Sequence, residues 1–366
     1  MLEFKINDAV ILYNIENEKD EKYVSILGFK EGFECTSLII PEEIEGYKVK
    51  EIASEAFTSE QIEYITFPNN LVTIGNNAFE CSDIKEVVFP DSLQIIESGA
   101  FANCSSLTTV KFNEGLREIE DGAFSCTYIE TINLPNSLTK INRGVFEDCE
   151  LESVTFGPNI KTIDERAFAL NARLKYINFS EGLESIGSEA FFSCAAESIE
   201  LPNSLVSMDF DAFNECPLLK RFHIGANFEN NDYMETLLLL CMSLENITVH
   251  PDNKQFKIID ECLYDMKYKE LVKVPSNIYK LTIPKWVQSI TAECFYPISP
   301  DIIVIRKNNL DGLTFSGMEN AKLIVCPPGS EIGKWASKND VNVEFSSSLI
   351  GDFIKSLSDE SLEVNN

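Results

Sequence analysis

Apolar and polar residues follow a pattern that recurs every 22 or 23 residues. Its clearest marker is the dipeptide Ala-Phe, replaced once by Val145-Phe146, and successive Phe residues are separated by 22, 22, 23, 22, 22, 23 and 22 positions. These residues are Phe57, Phe79, Phe101, Phe124, Phe146, Phe168, Phe191 and Phe213. Self-similarity at a fixed period is the signature of a repeat architecture.

Each period contains a six-residue segment whose first, fourth and sixth residues are apolar. The segments are Ile62–Phe67, Ile84–Phe89, Leu107–Phe112, Ile129–Leu134, Leu151–Phe156 and Leu174–Phe179. Because the fourth and sixth residues share a face at the two-residue period, each segment predicts a short strand. A Pro that usually follows would end the strand. A second short apolar pair and a brief helical turn carrying the Phe complete the unit.

One such unit is too small to bury its own apolar face. Stacking many units buries a continuous column of side chains, so the pattern predicts a single solenoid and not a chain of separate domains.

The units resemble the BspA-like, or Treponema-type, class of leucine-rich repeats. The resemblance is carried by stretches such as LVTIGNNAFECSDIKEVVFPDS and LREIEDGAFSCTYIETINLPNS, which are similar to the family pattern LxxIxxxAFxxCxxLxxIxLPxS. It implies a leucine-rich-repeat solenoid of the α/β-type repeat class. We therefore expect a curved, right-handed array of short strands and short helical turns, with a cap at each end.

The same pattern divides the chain into four parts. Residues 1–37 lack the repeat and are predicted to form an N-terminal strand cap, and residues 38–224 hold the regular repeats. Residues 225–345 are read as degenerate repeats with an inserted hairpin and a C-terminal cap. Residues 346–366 form an acidic tail in which Leu349, Ile350, Phe353, Ile354 and Leu357 fit a short amphipathic helix. Either a frayed end or a docking or self-association helix would explain this tail.

Composition and charge narrow the function classes. Hydrophobic residues make up 44% of the chain and include 25 Phe, which is enough for a substantial core. The 59 acidic residues outnumber the 30 basic ones and give a net charge of -29, which disfavours nucleic acids and anionic membrane surfaces as partners. No apolar run is long enough to span a bilayer. The N-terminus lacks the pattern of a signal peptide, so we expect a cytoplasmic location, with export to the cell surface by another route as the alternative.

The 11 Cys residues are odd in number and include no CxxC motif. Most follow the repeat Phe by two or three positions: Cys81, Cys104, Cys126, Cys149, Cys194 and Cys216. This column predicts small apolar residues at an inward position, and the family resemblance implies buried free thiols. A redox or metal ladder is the alternative interpretation.

Recognisable catalytic chemistry is sparse. His223 and His250 are the two histidines, and neither has a Cys or carboxylate at metal-ligand spacing. Phosphate-binding loops, nucleophile elbows and zinc-protease motifs do not occur. We therefore predict no catalytic, cofactor-binding or metal-binding residues and no enzymatic activity. A glycan-active enzyme with paired carboxylates is a remote alternative.

The outward side of the predicted strands is the favoured place for recognition. The second, third and fifth residues of each segment point away from the core. They include six acids (Glu63, Glu86, Glu130, Glu152, Glu197, Glu200) and five bases (Lys85, Lys111, Lys175, Lys220, Arg221), so this side is nearly neutral. The acidity must then lie on the cap, the tail and the turns near each Ala-Phe.

A nearly neutral surface rich in hydroxyl and aromatic groups suits protein recognition, although a merely solvated sheet has the same composition. The predicted contact residues are Tyr64, Lys85, Lys111, Asn133, Thr155, Tyr176, Asn178, Glu200, Arg221 and His223. The sequence thus predicts a non-enzymatic scaffold for a protein partner. The alternative is an adhesin for host or bacterial components, which the resemblance implies because many family members are microbial surface proteins.

Overall fold

Short strands stacked in register form the body of the molecule. A computed structural model describes residues 1–6, 9–18, 21–33, 35–209, 211–229, 237–291, 293–296, 299–306 and 318–346. The helix predicted in the tail between Leu349 and Leu357 lies outside these described residues. No helix within them is long and apolar enough to cross a membrane.

In chain order the strands are β1 (Leu2–Ile6), β2 (Ala9–Glu18), β3 (Glu21–Phe29), β4 (Ser37–Ile39), β5 (Glu43–Ile44), β6 (Tyr47–Ile52), β7 (Tyr64–Thr66), β8 (Thr73–Ile74), β9 (Glu86–Val88), β10 (Ile95–Ile96), β11 (Thr109–Lys111), β12 (Glu118–Ile119), β13 (Lys140–Ile141), β14 (Ser153–Thr155), β15 (Thr162–Ile163), β16 (Tyr176–Asn178), β17 (Ser185–Ile186), β18 (Ser198–Glu200), β19 (Ser207–Met208), β20 (Arg221–Ile224), β21 (Asn246–Val249), β22 (Phe256–Ile259), β23 (Cys262–Asp265), β24 (Glu270–Lys273), β25 (Lys280–Ile283), β26 (Ser289–Ile290), β27 (Ile302–Ile305), β28 (Leu323–Cys326) and β29 (Val343–Phe345). A 3-10 helix covers Met318–Asn320, and helix α1 covers Glu331–Lys338.

The six-residue segments supply one row of parallel strands, which we call the front sheet. It runs through β4, β7, β9 and β11, continues through single bridges at Thr131, and resumes with β14, β16, β18, β20 and β21. Equivalent residues of neighbouring repeats pair, as Leu38 does with Ile65 and Val87 with Val110. Successive repeats therefore superpose residue on residue, and each repeat position forms a straight column.

The second apolar pair of each unit supplies a rear sheet, whose strands have two residues each apart from the six-residue β6. Strands β6, β8, β10 and β12 form its first part, and β13, β15, β17 and β19 form its second. At the N-terminus, β1, β2 and β3 form an antiparallel meander. This meander extends the rear sheet, because β3 pairs in parallel with β6.

Between the two sheets, the repeat Phe side chains form a continuous stack. Successive rings from Phe57 to Phe213 lie 5.1 to 5.7 Å apart between centroids and are tilted by at most 19°. All eight rings are at most 1% exposed. The backbone follows the same register: the N–H of each Phe donates to the carbonyl before the next Phe, as Phe79 does to Ala100 at 2.8 Å. Each Phe thus fixes its neighbour both by ring contact and by a backbone hydrogen bond.

The Phe segment is built from tight turns where the sequence predicted a brief helical turn. The residue two positions after the Phe is left-handed in every regular repeat, with φ between 54° and 62°. The residue two positions before it is left-handed in most repeats, and Gly99, Gly122 and Gly144 occupy three of these places. Because L-residues disfavour this conformation, Gly is suited to it, and a helix is interrupted on both sides of the Phe.

The predicted Cys column is partly wrong, because it combines two structural positions. Cys81 and Cys126 follow the Phe by two residues, lie at left-handed turns and are exposed. Cys104 and Cys149 follow it by three residues and are buried. Their thiols donate to Phe79 O at 3.1 Å and Phe124 O at 3.3 Å, in each case the Phe of the preceding repeat. The inward column therefore satisfies buried carbonyls. Cys194, Cys216 and Cys241 do the same, and Asn171 replaces the thiol in one repeat.

The hairpin predicted at residues 256–275 connects two hydrophobic cores. Strands β22, β23 and β24 are antiparallel, and β24 pairs in parallel with β26. Because successive side chains of a strand point to opposite faces, β23 contributes Leu263 to the first core and Tyr264 to the second. Strands β25, β27, β28 and β29 then form a parallel sheet to which helix α1 packs.

Lys273, at the end of β24, is 2% exposed. Its ammonium group donates to Leu238 O at 3.0 Å and to Tyr296 O at 3.1 Å. Desolvation lowers the pKa of this lysine, although the thiols of Cys241 and Cys294 act in the opposite direction. Lys273 thus holds together two turns from different repeats at the cost of burying a charge.

Removing one ring from the Phe stack should destabilise the protein strongly. Phe124 is fully buried and stacks on Phe101 at 5.3 Å and on Phe146 at 5.7 Å. Phe124→Ala should lower the free energy of unfolding by about 3–5 kcal/mol, because it leaves a cavity that the fixed register does not let collapse. Glu130→Ala, at an exposed front-sheet position, should change it by no more than about 0.5 kcal/mol. If urea unfolding showed equal losses of free energy for the two variants, the assignment of Phe124 to the core and of Glu130 to the surface would be contradicted.

Thiol reactivity should separate the two Cys positions. Burial raises the pKa of Cys104 to about 11 and that of Cys149 to about 12, so both thiols stay protonated and shielded near neutrality. Iodoacetamide should therefore modify Cys81 and Cys126 in the native protein and reach Cys104 and Cys149 only after denaturation. Peptide mass spectrometry at both stages measures this. Native labelling of Cys104 as fast as that of Cys81 would refute the buried position.

Lys273 should make stability increase with pH. Its pKa is lower in the folded protein than the ordinary value near 10.4, so unfolding takes up a proton between these two values. Lys273→Met should remove this contribution, while Lys257→Met, at an exposed position, should keep it. The measurement is urea unfolding between about pH 8 and pH 10. An identical pH slope in wild type and Lys273→Met would contradict the prediction.

Candidate interaction surface

The solvent side of the front sheet, which we call the strand face, carries all the predicted contact residues. In the segment Ile84–Phe89, for example, the exposed residues are Lys85, Glu86 and Val88. The ten predicted residues occupy the second, third or fifth position of their segments and are exposed or half-buried: Tyr64, Lys85, Lys111, Asn133, Thr155, Tyr176, Asn178, Glu200, Arg221 and His223. The parallel register places them in columns along one surface.

The structure brings some of these residues together and leaves others apart. Near the N-terminal end, Lys85 lies 5.3 Å from the ring centre of Tyr64 and 2.6 Å from Glu63. The hydrogen bond to Glu63 is the main cause that raises the pKa of Lys85. Lys111 and Asn133 lie between this group and the C-terminal half. Among the described residues, neither forms a side-chain hydrogen bond or ion pair with another predicted residue.

Four of the other six predicted residues, Tyr176, Asn178, Glu200 and Arg221, line a depression in the C-terminal half of the strand face. Thr155 reaches this group through a hydrogen bond of 3.3 Å donated by Asn178. The depression has a volume of about 540 Å³ and crosses β16, β18 and β20. Its lining residues are Lys175, Tyr176, Ile177, Asn178, Phe179, Glu197, Ser198, Glu200 and Arg221. A smaller depression of about 110 Å³ continues from it towards His223 and Thr248.

The first outward column of the strand face carries charges that are largely paired within the chain. Lys220 lies 3.0 Å from Glu197, and this hydrogen bond lowers the pKa of the Glu197 carboxyl below its usual range. Arg173 pairs with Glu152 and lies 3.6 Å from Glu150. Sequence reasoning missed Arg173, because it precedes its strand segment by one residue. The pattern alone does not show that its long side chain reaches the face.

Six charged side chains of the strand face form no ion pair within the described part of the chain. The bases are Lys111, Lys175 and Arg221, and the acids are Glu86, Glu200 and Glu245. Lys175, Arg221 and Glu200 all line the depression. The depression is therefore the place on this face where unpaired charges are concentrated.

Many acids away from the face bind backbone N–H groups of a neighbouring repeat, a role that sequence reasoning missed. Glu97 accepts from Asn76 N at 3.0 Å, and Glu120 accepts from Ser98 N at 3.1 Å. After the Pro turns, Glu114 accepts from Asn136 N at 3.0 Å. The recurrence of Glu beside these turns was the sequence signal that could have revealed this role. Part of the net charge of -29 thus comes from acids that stabilise turns.

The histidines and the other titratable groups form no metal site in the described residues. His223 Nδ1 lies 2.9 Å from Thr248 Oγ1, and His250 Nδ1 accepts from Asp252 N at 3.2 Å. Among the residues that the structure describes, no group of three or more His, Cys, Asp or Glu could hold a metal ion.

Comparison with known proteins identifies the family. The model of the "BspA type Leucine rich repeat region" matches in six copies over residues 50–172 and 139–269. These matches span residues 50–269, which is more than half of the 366 residues. This chain belongs to the BspA-type leucine-rich repeat family. The leucine-rich-repeat solenoid expected from the sequence is therefore confirmed.

Several solved BspA-type and other leucine-rich repeat structures have a similar fold. A leucine-rich repeat protein from Bacteroides ovatus is 19% identical, with a TM-score of 0.57, and the match covers 94% of this chain and 100% of that one. The pneumococcal vaccine antigen PcpA is 19% identical, with a TM-score of 0.50 and coverage of 95% and 99%. A leucine-rich cell surface protein from Faecalibacterium prausnitzii is 18% identical, with a TM-score of 0.50 and coverage of 95% and 96%. At these identities the similarity shows the fold alone. No functionally curated protein matches the chain.

Proposed function

We propose that this BspA-type repeat protein is a non-enzymatic scaffold that binds a protein partner through its strand face. The observation that carries the proposal is the depression of about 540 Å³ around Tyr176 and Arg221. Tyr and Arg are the residue types that most often dominate binding energy at protein interfaces. Tyr176 is 66% exposed, so its ring is available to a partner.

The way the face is built supports this role. The Phe stack and the parallel register hold the backbone of every front-sheet strand, so a partner meets a surface that is already ordered. Pre-ordering lowers the entropic cost of binding. The unpaired charges near the depression can contact a partner without first breaking an ion pair of the chain.

A cell-surface adhesin is the second candidate. It is favoured because the similar protein from Faecalibacterium prausnitzii is a cell surface protein and the similar pneumococcal PcpA is a vaccine antigen. The cytoplasmic location expected from the sequence and the absence of enzymatic activity stay predictions. Protease treatment of intact cells distinguishes the locations, because only an exported chain would release peptides.

Photo-crosslinking should locate the partner on the strand face. A photoreactive phenylalanine analogue replaces Tyr176 in one variant and exposed Asn103, on the turn side of the repeats, in another. In cells of the source organism, the analogue at position 176 should give a discrete crosslinked protein, and the analogue at position 103 should not. Because both positions are exposed, the comparison reports the surface used and not general accessibility.

The control places the photoreactive analogue at a third exposed position, Asn133, in two chains: the wild type and a variant in which Tyr64, Lys111, Tyr176 and Arg221 are changed to Ala. The analogue should crosslink in the wild type and not in the variant. The unfolding curve of the variant should stay close to that of the wild type. Crosslinks from position 103 alone would contradict the strand-face proposal. Crosslinks only to host material added outside the cells would replace the scaffold by the adhesin.

A further inference from the structure

Three consecutive repeats place residues of very different size in one column of the strand face. Tyr176, Ser198 and Arg221 occupy the same repeat position, and Ser198 pairs directly with Arg221. Adjacent strands lie about 4.8 Å apart, so Tyr176 and Arg221 are separated by about two strand spacings. The small Ser198 between them forms the floor of the depression.

We propose that this depression binds an acidic side chain of an extended segment of the protein partner. The inference rests on the proposed function and specifies its chemistry. The guanidinium of Arg221 would bind the carboxylate, Lys175 would add a second positive charge, and the ring of Tyr176 would cover the chain of the bound residue.

The distribution of charge supports an anionic ligand. Of the six basic residues that reach the strand face, Lys85, Arg173 and Lys220 have carboxylate partners. Lys111, Lys175 and Arg221 have none among the described residues, and two of these three line the depression. Glu197, the neighbouring carboxylate, already binds Lys220. The depression thus offers two unpaired cations against one unpaired acid, Glu200.

The chemistry of Arg221 suits a carboxylate. A guanidinium presents two parallel N–H groups that match both carboxylate oxygens, which a lysine ammonium does not do. Glu200 and Asn178 stand in the next outward column and can accept from, or donate to, the main chain of an extended peptide. Together these groups favour one acidic side chain with its adjoining backbone.

The net charge of the protein argues against a polyanion. A chain with a net charge of -29 repels nucleic acid and highly sulfated glycans at long range. A single carboxylate meets the local positive field of Arg221 and Lys175 without this penalty. An acidic peptide is therefore the ligand that the surface favours.

The test uses the full chain and an array of short immobilised peptides. The peptides form matched pairs that differ only in Glu or Gln at a central position, with varied flanking residues. Wild type should bind some Glu peptides and lose about tenfold or more in affinity for their Gln partners, because a charge-assisted hydrogen bond is removed. Arg221→Gln should abolish this preference.

Two further variants separate shape from charge. Arg117→Gln removes the same charge at an exposed position just before β12 of the rear sheet, away from the depression, and should leave the preference for Glu peptides intact. Ser198→Tyr keeps all charges but fills the floor between Tyr176 and Arg221, so it should weaken binding of Glu peptides to the level of Arg221→Gln. Thermal unfolding of each variant checks that the repeats remain folded.

Equal binding of Glu and Gln peptides by the wild type would overturn the inference. An equal loss in Arg117→Gln and Arg221→Gln would also overturn it, because it would indicate general attraction by charge. Selective binding of heparin over the Glu peptides, lost in Arg221→Gln, would replace the peptide by an acidic glycan. If the photoreactive analogue at position 176 still crosslinks to a protein in any of these cases, the proposed scaffold function stands and only the proposed acidic ligand is refuted.

Discussion

The stacking of one Phe ring on the next is the interaction on which the rest of this structure depends. A single repeat of 22 or 23 residues has no opposite layer against which to bury its apolar side chains. The rings of Phe101, Phe124 and Phe146 supply that layer to each other at one ring per turn. Because each Phe N–H also bonds to the next turn, a shift of register would break ring and backbone contacts together. The stack therefore fixes which residues of every repeat face outward.

Because the register is fixed, equivalent positions of successive repeats form columns, and the side chains in different columns have different roles. In the inward column after the Phe, a side chain such as Cys104 or Asn171 donates a hydrogen bond to a buried carbonyl of the preceding repeat. The first outward column joins neighbouring strands by ion pairs such as Glu197–Lys220. In the remaining outward columns, Arg221 and Glu200 form no ion pair with the described residues and are available to a partner. Binding specificity can then arise from one small residue, Ser198, between two large ones.

Periodicity predicted the core and the outward face because both follow from where a side chain stands in a repeating strand. It failed where the same residue type occupies different backbone conformations. Cys81 and Cys104 look like members of one column, yet one residue of offset places Cys81 on a left-handed turn and Cys104 in the core. The left-handed turns themselves were missed because Glu, Asn and Arg occupy them as well as Gly. The depression was foreseeable only by comparing Tyr176, Ser198 and Arg221 across three repeats.

The net charge of -29 is a weak guide to the partner of this protein. Turns in every repeat leave backbone N–H groups that need acceptors, and Glu97, Glu120 and Glu114 provide them from adjacent repeats. These acids are part of how the repeats hold together, so a longer array would become more acidic whatever it bound. The information about a partner lies in charges that the fold does not use. On the strand face those are few, and Lys175 and Arg221 both line the depression.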